Sequence, residues 1–355
     1  MTNSAALWQQ LQQAELVSGD LPSARSEQQL AFFLRMLLGA SGWLSAVFFT
    51  AFISAAFISV SSTISSIWMI GVMLCAFSIG ISHLTRLPIL AEQFVFACSI
   101  AGQAQIMFAV SESTGNQQLI AAALFILEIA IFFLIGIRNQ RTIAVFIACG
   151  ALLWLLGQQT WIYALPAISA AAGWLWLYRL RWYKHANYLQ PATTGLTLVL
   201  WLTIVLVLLI NSTELSWLGI NQVNWRARMW IATVLTSLVC LVLAWQLIQQ
   251  NVQHLQLRYL AIAISLGVAL VNLKMLGLAP LCLLLCIGIA HAHKRIIWLN
   301  LCCLVGYLML YYYSLNNSLL YKSVLLCVSG AVLLAFYVVL NRYAHKVTAR
   351  TDDYA

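Results

Sequence analysis

LIAAALFILEIAIFFLIGI, residues 119–137, is nineteen residues long and carries a single ionisable side chain, Glu128. A helix needs about 20 predominantly apolar residues to cross a bilayer core, with about 17–25 tolerated. The apolar positions run on continuously, where a barrel strand would alternate in segments of about 10. This stretch therefore predicts a transmembrane helix.

The rest of the chain repeats the pattern. Apolar runs fall at 36–60, 64–82, 94–110, 119–137, 142–157, 160–178, 194–210, 229–248, 259–273, 276–290, 296–313 and 319–340. The expected fold is an all-α polytopic bundle of twelve spans, or eleven if the short fifth or tenth run is re-entrant. Three regions follow: an amphipathic cytoplasmic segment over 1–35, the bundle over 36–340, and a cytoplasmic tail over 341–355. Leu7, Trp8, Leu11, Leu16 and Val17 form the apolar stripe of a short helix in the first segment, which stops at Gly19 and Pro22. No cleavable signal peptide is expected, because the first apolar run is too long for one.

Composition agrees. Of 355 residues, 63% are hydrophobic and 8% charged, and mean hydropathy is +0.91. Soluble domains carry about 25% charged residues. The formal net charge of +9 lies in the links between apolar runs, without the aromatic-interleaved basic strip that nucleic acid requires, so nucleic acid is not an expected partner. With the N-terminus inside, only Arg226, Arg228, Lys274 and Lys322 of the eighteen basic residues face outward. The remainder, among them Arg86, Arg138, Arg141, Arg179, Arg181 and Lys294, lie on the inner side, as the positive-inside rule demands. Both termini are expected in the cytoplasm.

The nine cysteines, Cys75, Cys98, Cys149, Cys240, Cys282, Cys286, Cys302, Cys303 and Cys327, lie within apolar runs and read as small hydrophobes. Trp161, Trp182, Tyr183, Trp217, Trp225, Trp230 and Trp298 sit near span edges, where amphipathic rings favour the headgroup zone. The 211–228 link has room for a short interfacial helix. Ala51/Ala55, Ala97/Ala101 and Ala263/Gly267 are small pairs at i and i+4, expected where helices approach closely.

Glu128 is the sharpest candidate for chemistry, because a carboxyl inside hydrocarbon costs several kcal/mol by insertion scales. It reads as a proton or cation relay, or as a neutral or hydrogen-bonded packing contact. Lys274 either snorkels from a hairpin between the ninth and tenth spans, or lines a cavity if Gly277 and Pro280 mark a broken helix. Gln103, Gln105, Asn272 and Asn300 read as hydrogen-bonding contacts between helices. Cys282 and Cys286, at i and i+4 with His291 and His293 nearby, are weak candidates for a soft metal. Arg226 and Arg228 are candidate anion ligands at the outer face. His83 and Arg86 read as solvated link residues. No nucleotide, zinc-protease or serine-hydrolase motif occurs, and no cofactor is implied.

Two stretches carry a family resemblance. One is Leu7-Trp8-Gln9-Gln10-Leu11 with Leu16-Val17-Ser18-Gly19-Asp20-Leu21-Pro22, followed by Leu37-Leu38-Gly39 and Gly42-Trp43-Leu44. The other is Tyr311-Tyr312-Tyr313-Ser314-Leu315, then Leu319-Leu320-Tyr321-Lys322-Ser323 and Gly330. Together they resemble a bacterial membrane family of unknown function, the one numbered 4401. The resemblance implies an inner-membrane protein working beside a second small membrane protein of the kind named for a GDYXXLXY motif. It implies no reaction, and it brings Lys322 and Ser323 forward as helix-interface residues. The functions expected are a transporter-like or accessory membrane component, a membrane enzyme acting on a lipid-linked substrate at the outer face, or a scaffold.

Overall fold

The computed structural model describes residues 12–13, 32–60, 64–84, 87–157, 160–179, 181, 183–212, 222–251, 254–314 and 323. Among them are eleven α-helices: α1 Phe32–Val60, α2 Ile64–Ser82, α3 Ile89–Thr114, α4 Gln117–Leu134, α5 Arg138–Leu155, α6 Ala164–Leu177, α7 Ala186–Ser212, α8 Gln222–Asn251, α9 Leu255–Asn272, α10 Leu278–Ala290 and α11 Lys294–Ser314. The described residues contain no strand. Each helix matches one apolar run in order, and the run at 319–340 lies outside the described residues apart from Ser323.

Several helices begin before their apolar run does. α3, α7 and α8 start at residues 89, 186 and 222, against expected starts at 94, 194 and 229. Hydropathy finds only the oily part of a helix; polar first turns such as Ala186-Asn187-Tyr188 extend it through ordinary backbone hydrogen bonding. Inside Gly115-Asn116 the sequence reads as punctuation. Gly115 takes φ +60 and donates its amide to Ser111, closing α3. The Asn116 side chain accepts from the Gln118 amide at 2.9 Å, capping α4.

Six of these helices contain segments long and apolar enough to cross a membrane: Met36–Ala56, Ile89–Thr114, Gln117–Leu134, Ala186–Leu209, Ala227–Asn251 and Leu255–Asn272. Shorter apolar segments occupy Ile67–Ser82, Trp161–Leu177, Leu278–Ala290 and Ile296–Tyr312. The outer surface is apolar as well, with Phe52 74% and Trp298 66% exposed. So much bare hydrocarbon does not persist in water, and multi-pass membrane character fits it.

The interior divides into unlike parts. α6, α7, α8, α10 and α11 share a core of large aliphatic residues, including Ile162, Leu165, Leu200, Ile204, Leu284 and Ile287. The first five helices hold two smaller clusters, Ala46 with Ala97 and Cys98, and Ile131 with Ile135 and Ala144. One tight crossing pairs α2 with α3: a Cβ on Gly71 would stand 2.8 Å from the Gly102 carbonyl oxygen, and one on Gly102 would stand 2.8 Å from that of Gly71. Of the small pairs expected at interfaces, Ala97 is buried, but Ala51, Ala55, Ala263 and Gly267 face outward. Spacing alone identifies a smooth helix face without saying what covers it, and the close approaches fall at glycines instead.

Candidate functional site

Two cavities lie at opposite ends of α7 and α10. The larger, about 570 Å³, draws on the start of α3 (Glu92, Gln93), the α4–α5 junction (Ile137, Arg138, Asn139), the end of α6 and the residues after it (Trp176, Arg179), the start of α7 (Gln190, Thr194) and the α10–α11 junction (His293, Ile296). The smaller, about 300 Å³, is formed by the end of α7 (Val207, Leu208), the start of α8 (Met229, Trp230, Thr233), the α9–α10 link (Leu273, Lys274, Leu276) and the end of α11 (Tyr307, Tyr311). Alternate links therefore gather at each end, as an up-and-down bundle requires. Between the cavities Val199, Leu200, Ile204, Leu281, Leu284 and Ile287 are each no more than 2% exposed and form a closed apolar layer.

The larger cavity is the more highly charged of the two. Arg179 is half-buried, and its guanidinium lies 5.3 Å from the Trp176 ring centroid. Burial and the neighbouring Arg138 charge together push its pKa below the usual guanidinium value. Among the described residues neither arginine forms an ion pair with an acid, although Glu92 shares the wall. The Trp176 indole is fixed from both sides: its Nε1 donates to the Thr197 hydroxyl at 3.0 Å, and its ring meets His293 edge-on at 5.6 Å. Arg141, one helical turn from Arg138, is committed elsewhere. Its Nε donates to the Ile135 carbonyl at 2.7 Å, its Nη1 to the Asn187 carbonyl at 3.1 Å, and its guanidinium covers the Tyr188 ring.

Glu128 is fully buried on α4. Among the described residues neither carboxyl oxygen has a hydrogen-bond partner, and Cys75 on α2 is an electrostatic neighbour. Glu128 lines neither of the two cavities, and the structure does not bring it together with Lys274. That lysine is exposed in the turn between α9 and α10, and it also edges the smaller cavity. Asn272 is fully buried and ties three helices together. Its Nδ2 donates to Ser237 on α8, while its Oδ1 accepts from the amides of Gly277 and Ala279 that open α10.

Gln103 is buried and donates to Ser99 at 3.2 Å; Gln105 reaches across to Ser54 on α1 at 2.8 Å. Asn300 accepts from the Trp201 indole at 2.9 Å, tying α11 to α7. Cys282 is half-buried and Cys286 exposed. Among the described residues no group of three or more His, Cys, Asp or Glu converges on a metal position. His83, read as solvated, is exposed yet meets the Leu134 carbonyl at 2.7 Å. Arg228 is half-buried, whereas the Arg226 side chain, Arg86, Lys322, Cys327 and the middle of the 211–228 link lie outside what the structure describes.

Reasoning from sequence treated Arg138 and Arg179 only as topology signals, and it passed over Glu92, Trp176 and Gln140. Gln140 is 2% exposed and its amide has no partner among the described residues. One signal was present: Gln190, Thr193, Thr194 and Thr197 recur at i, i+3, i+4 and i+7, a polar stripe down one face of α7. Gln190 and Thr194 of that stripe line the larger cavity, and Thr197 holds its tryptophan.

No curated protein and no solved structure matches the chain. A family model does: residues 31–343 fit the one described as Domain of unknown function 4401, and the chain belongs to that family.

Proposed function

We propose that the chain is a transporter-like component of a bacterial cytoplasmic membrane, crossing it twelve times with both termini in the cytosol. The observation supporting this is the pair of cavities at opposite ends of α7 and α10 with a closed apolar layer between them. A closed layer between two end cavities is compatible with alternating access, in which the bundle rocks about a central barrier. The Arg-lined cavity belongs to the end that the positive-inside rule assigns to the cytosol; the Lys274 cavity then faces outward. The 1–35 segment and the tail beyond 340 sit on the cytosolic side in this reading, and a second small membrane protein is the accessory partner that the family likeness implies. Glu128 is the candidate proton or cation carrier within the bundle.

Cysteine labelling tests it. In a background without native cysteines, T194C should react with an impermeant maleimide from the cytosolic side and L208C from the outer side. L200C, in the closed layer, should label slowly from either side. If T194C and L208C label from the same side, the topology is wrong. If L200C never reacts under any condition, the bundle is a static scaffold and the transporter reading fails.

The lipid-linked enzyme reading rests on Arg226 and Arg228 and gains no geometric support, since only Arg228 is described. The Arg-lined cavity at the other end is the better anion site.

A further inference from the structure

The Arg138/Arg179 cavity borders an apolar groove, with one lining residue in common. Ile143 on α5 lines it, and the same residue opens an apolar groove of about 400 Å³ between α5 and α7, walled by Phe146, Leu198, Trp201, Leu202 and Val205. Phe146 and Leu202 in turn border a second apolar hollow of about 560 Å³, which reaches Leu124, Leu153 and Trp154. The three spaces follow the two helices away from the charged end: residues 138–143, then 143–146, then 146–154 on α5, and 190–194, then 198–205 on α7.

We infer that this cleft holds an amphiphile with an anionic head, of the phospholipid class, its phosphate between Arg138 and Arg179 and an acyl chain along the α5–α7 groove. The inference goes beyond the transporter-like reading and does not depend on it. Charge complementarity and continuity argue for that occupant. Two guanidiniums face one carboxylate, Glu92, in the cavity wall, and no described acid pairs with either of them. A planar guanidinium suits a phosphate through bidentate hydrogen bonds. Trp176 and His293 form a rigid side wall. The groove that follows is lined by aliphatic and aromatic residues; its one polar group, the Trp201 indole N–H, is already bonded to Asn300. A soluble anion would leave this groove unused, and a neutral lipid would leave the arginine pair unmatched. Burial of Arg179 beside Arg138 supports the same conclusion, since an arriving anion relieves both the desolvation and the like-charge repulsion.

The test uses the purified full chain in detergent, offered phosphatidylglycerol and diacylglycerol of identical chains, with retention read by native mass spectrometry. Phosphatidylglycerol should be retained at least tenfold better. R138Q and R179Q should each reduce that preference severalfold, as should L198W, which fills the groove. R181Q should not, because Arg181 sits on the same link outside the cavity wall. A thermal melt of each variant separates lost binding from lost folding; R138Q, at an exposed position, is the variant least able to disturb the fold. Equal retention of the two lipids, or equal loss in R181Q, would reduce the site to ordinary annular contact and overturn the proposal. Binding of glycerol 3-phosphate as tightly as phosphatidylglycerol would overturn the acyl-chain half and leave a soluble-anion site. None of these results bears on sidedness, so they remain distinct from the labelling test of transport.

Discussion

The Asn272 side chain accepts a hydrogen bond from the backbone amide of Gly277 at 3.1 Å, five residues further along the chain. The same oxygen takes the Ala279 amide at 3.0 Å. A helix start leaves its first amides unpaired, and Gly277, at the N-cap position of α10, has no side chain with which to serve them. Asn272, the last residue of α9, serves them from across the turn.

Asn272→Ala should therefore destabilise the fold by about 1–3 kcal/mol, the cost of leaving buried donors unmatched. Asn272→Asp keeps the acceptor for α10 and loses the Nδ2 donor to Ser237, so it should keep the turn and loosen α8. Detergent unfolding of both variants checks this; a midpoint unchanged in Asn272→Ala would mean that the turn is held by packing alone.

Gly277→Ala should be at least as damaging. Gly277 has φ +108, and an added Cβ would stand 2.7 Å from Ile204 Cγ2. Left-handed backbone costs a non-glycine residue on the order of 1–3 kcal/mol. Pairing it with Ile204→Ala removes the clash and leaves the backbone strain, so the double variant should recover only part of the loss beyond what Ile204→Ala itself costs. Full recovery would assign the whole effect to the contact.

Glu128→Leu should raise stability. Both carboxyl oxygens are buried without partners among the described residues, so the substitution removes a desolvation cost of about 1–3 kcal/mol and breaks no hydrogen bond. Retention of so costly a residue marks it as functional when the stabilised variant loses function in cells. If Glu128→Leu destabilises the bundle instead, the carboxyl is a packing contact. If Glu128→Gln leaves growth, folding and any measured flux unchanged, the relay idea falls.

Glu92→Gln should tighten phosphatidylglycerol retention severalfold, because it removes the one carboxylate from the arginine-lined wall. The same native mass spectra report it. A weaker complex would mean that Glu92 positions a guanidinium instead of opposing the ligand.

Much of the architecture was legible in the sequence because lipid imposes one-dimensional rules. Run length sets where helices lie, and all eleven described helices follow the expected order. Ends were less legible: the polar first turns of α7 and α8 look like links until they are seen to be helical. Glu128 was legible because a charge stands out in an oily run. Arg138 and Arg179 were not, since a basic residue at a span edge already has an explanation in topology, and only the meeting of five separated segments turns them into a cavity. The expected interface at Ala263/Gly267 failed for a related reason: smoothness is a property of one helix, whereas contact requires a second.

α10 has thirteen residues, about 20 Å of helix, against a hydrocarbon core of about 30 Å. With a cavity entering at each of its ends, a bilayer around this protein would be electrically thin along that line. When water fills both cavities, most of the membrane voltage would fall across the aliphatic layer that includes Leu200, Ile204 and Leu284, at about 2.3 kcal/mol per elementary charge for each 100 mV. Any ion or charged side chain moving through that layer would perform most of the electrical work of a full crossing over a fraction of the distance, so its motion would be steeply voltage-sensitive.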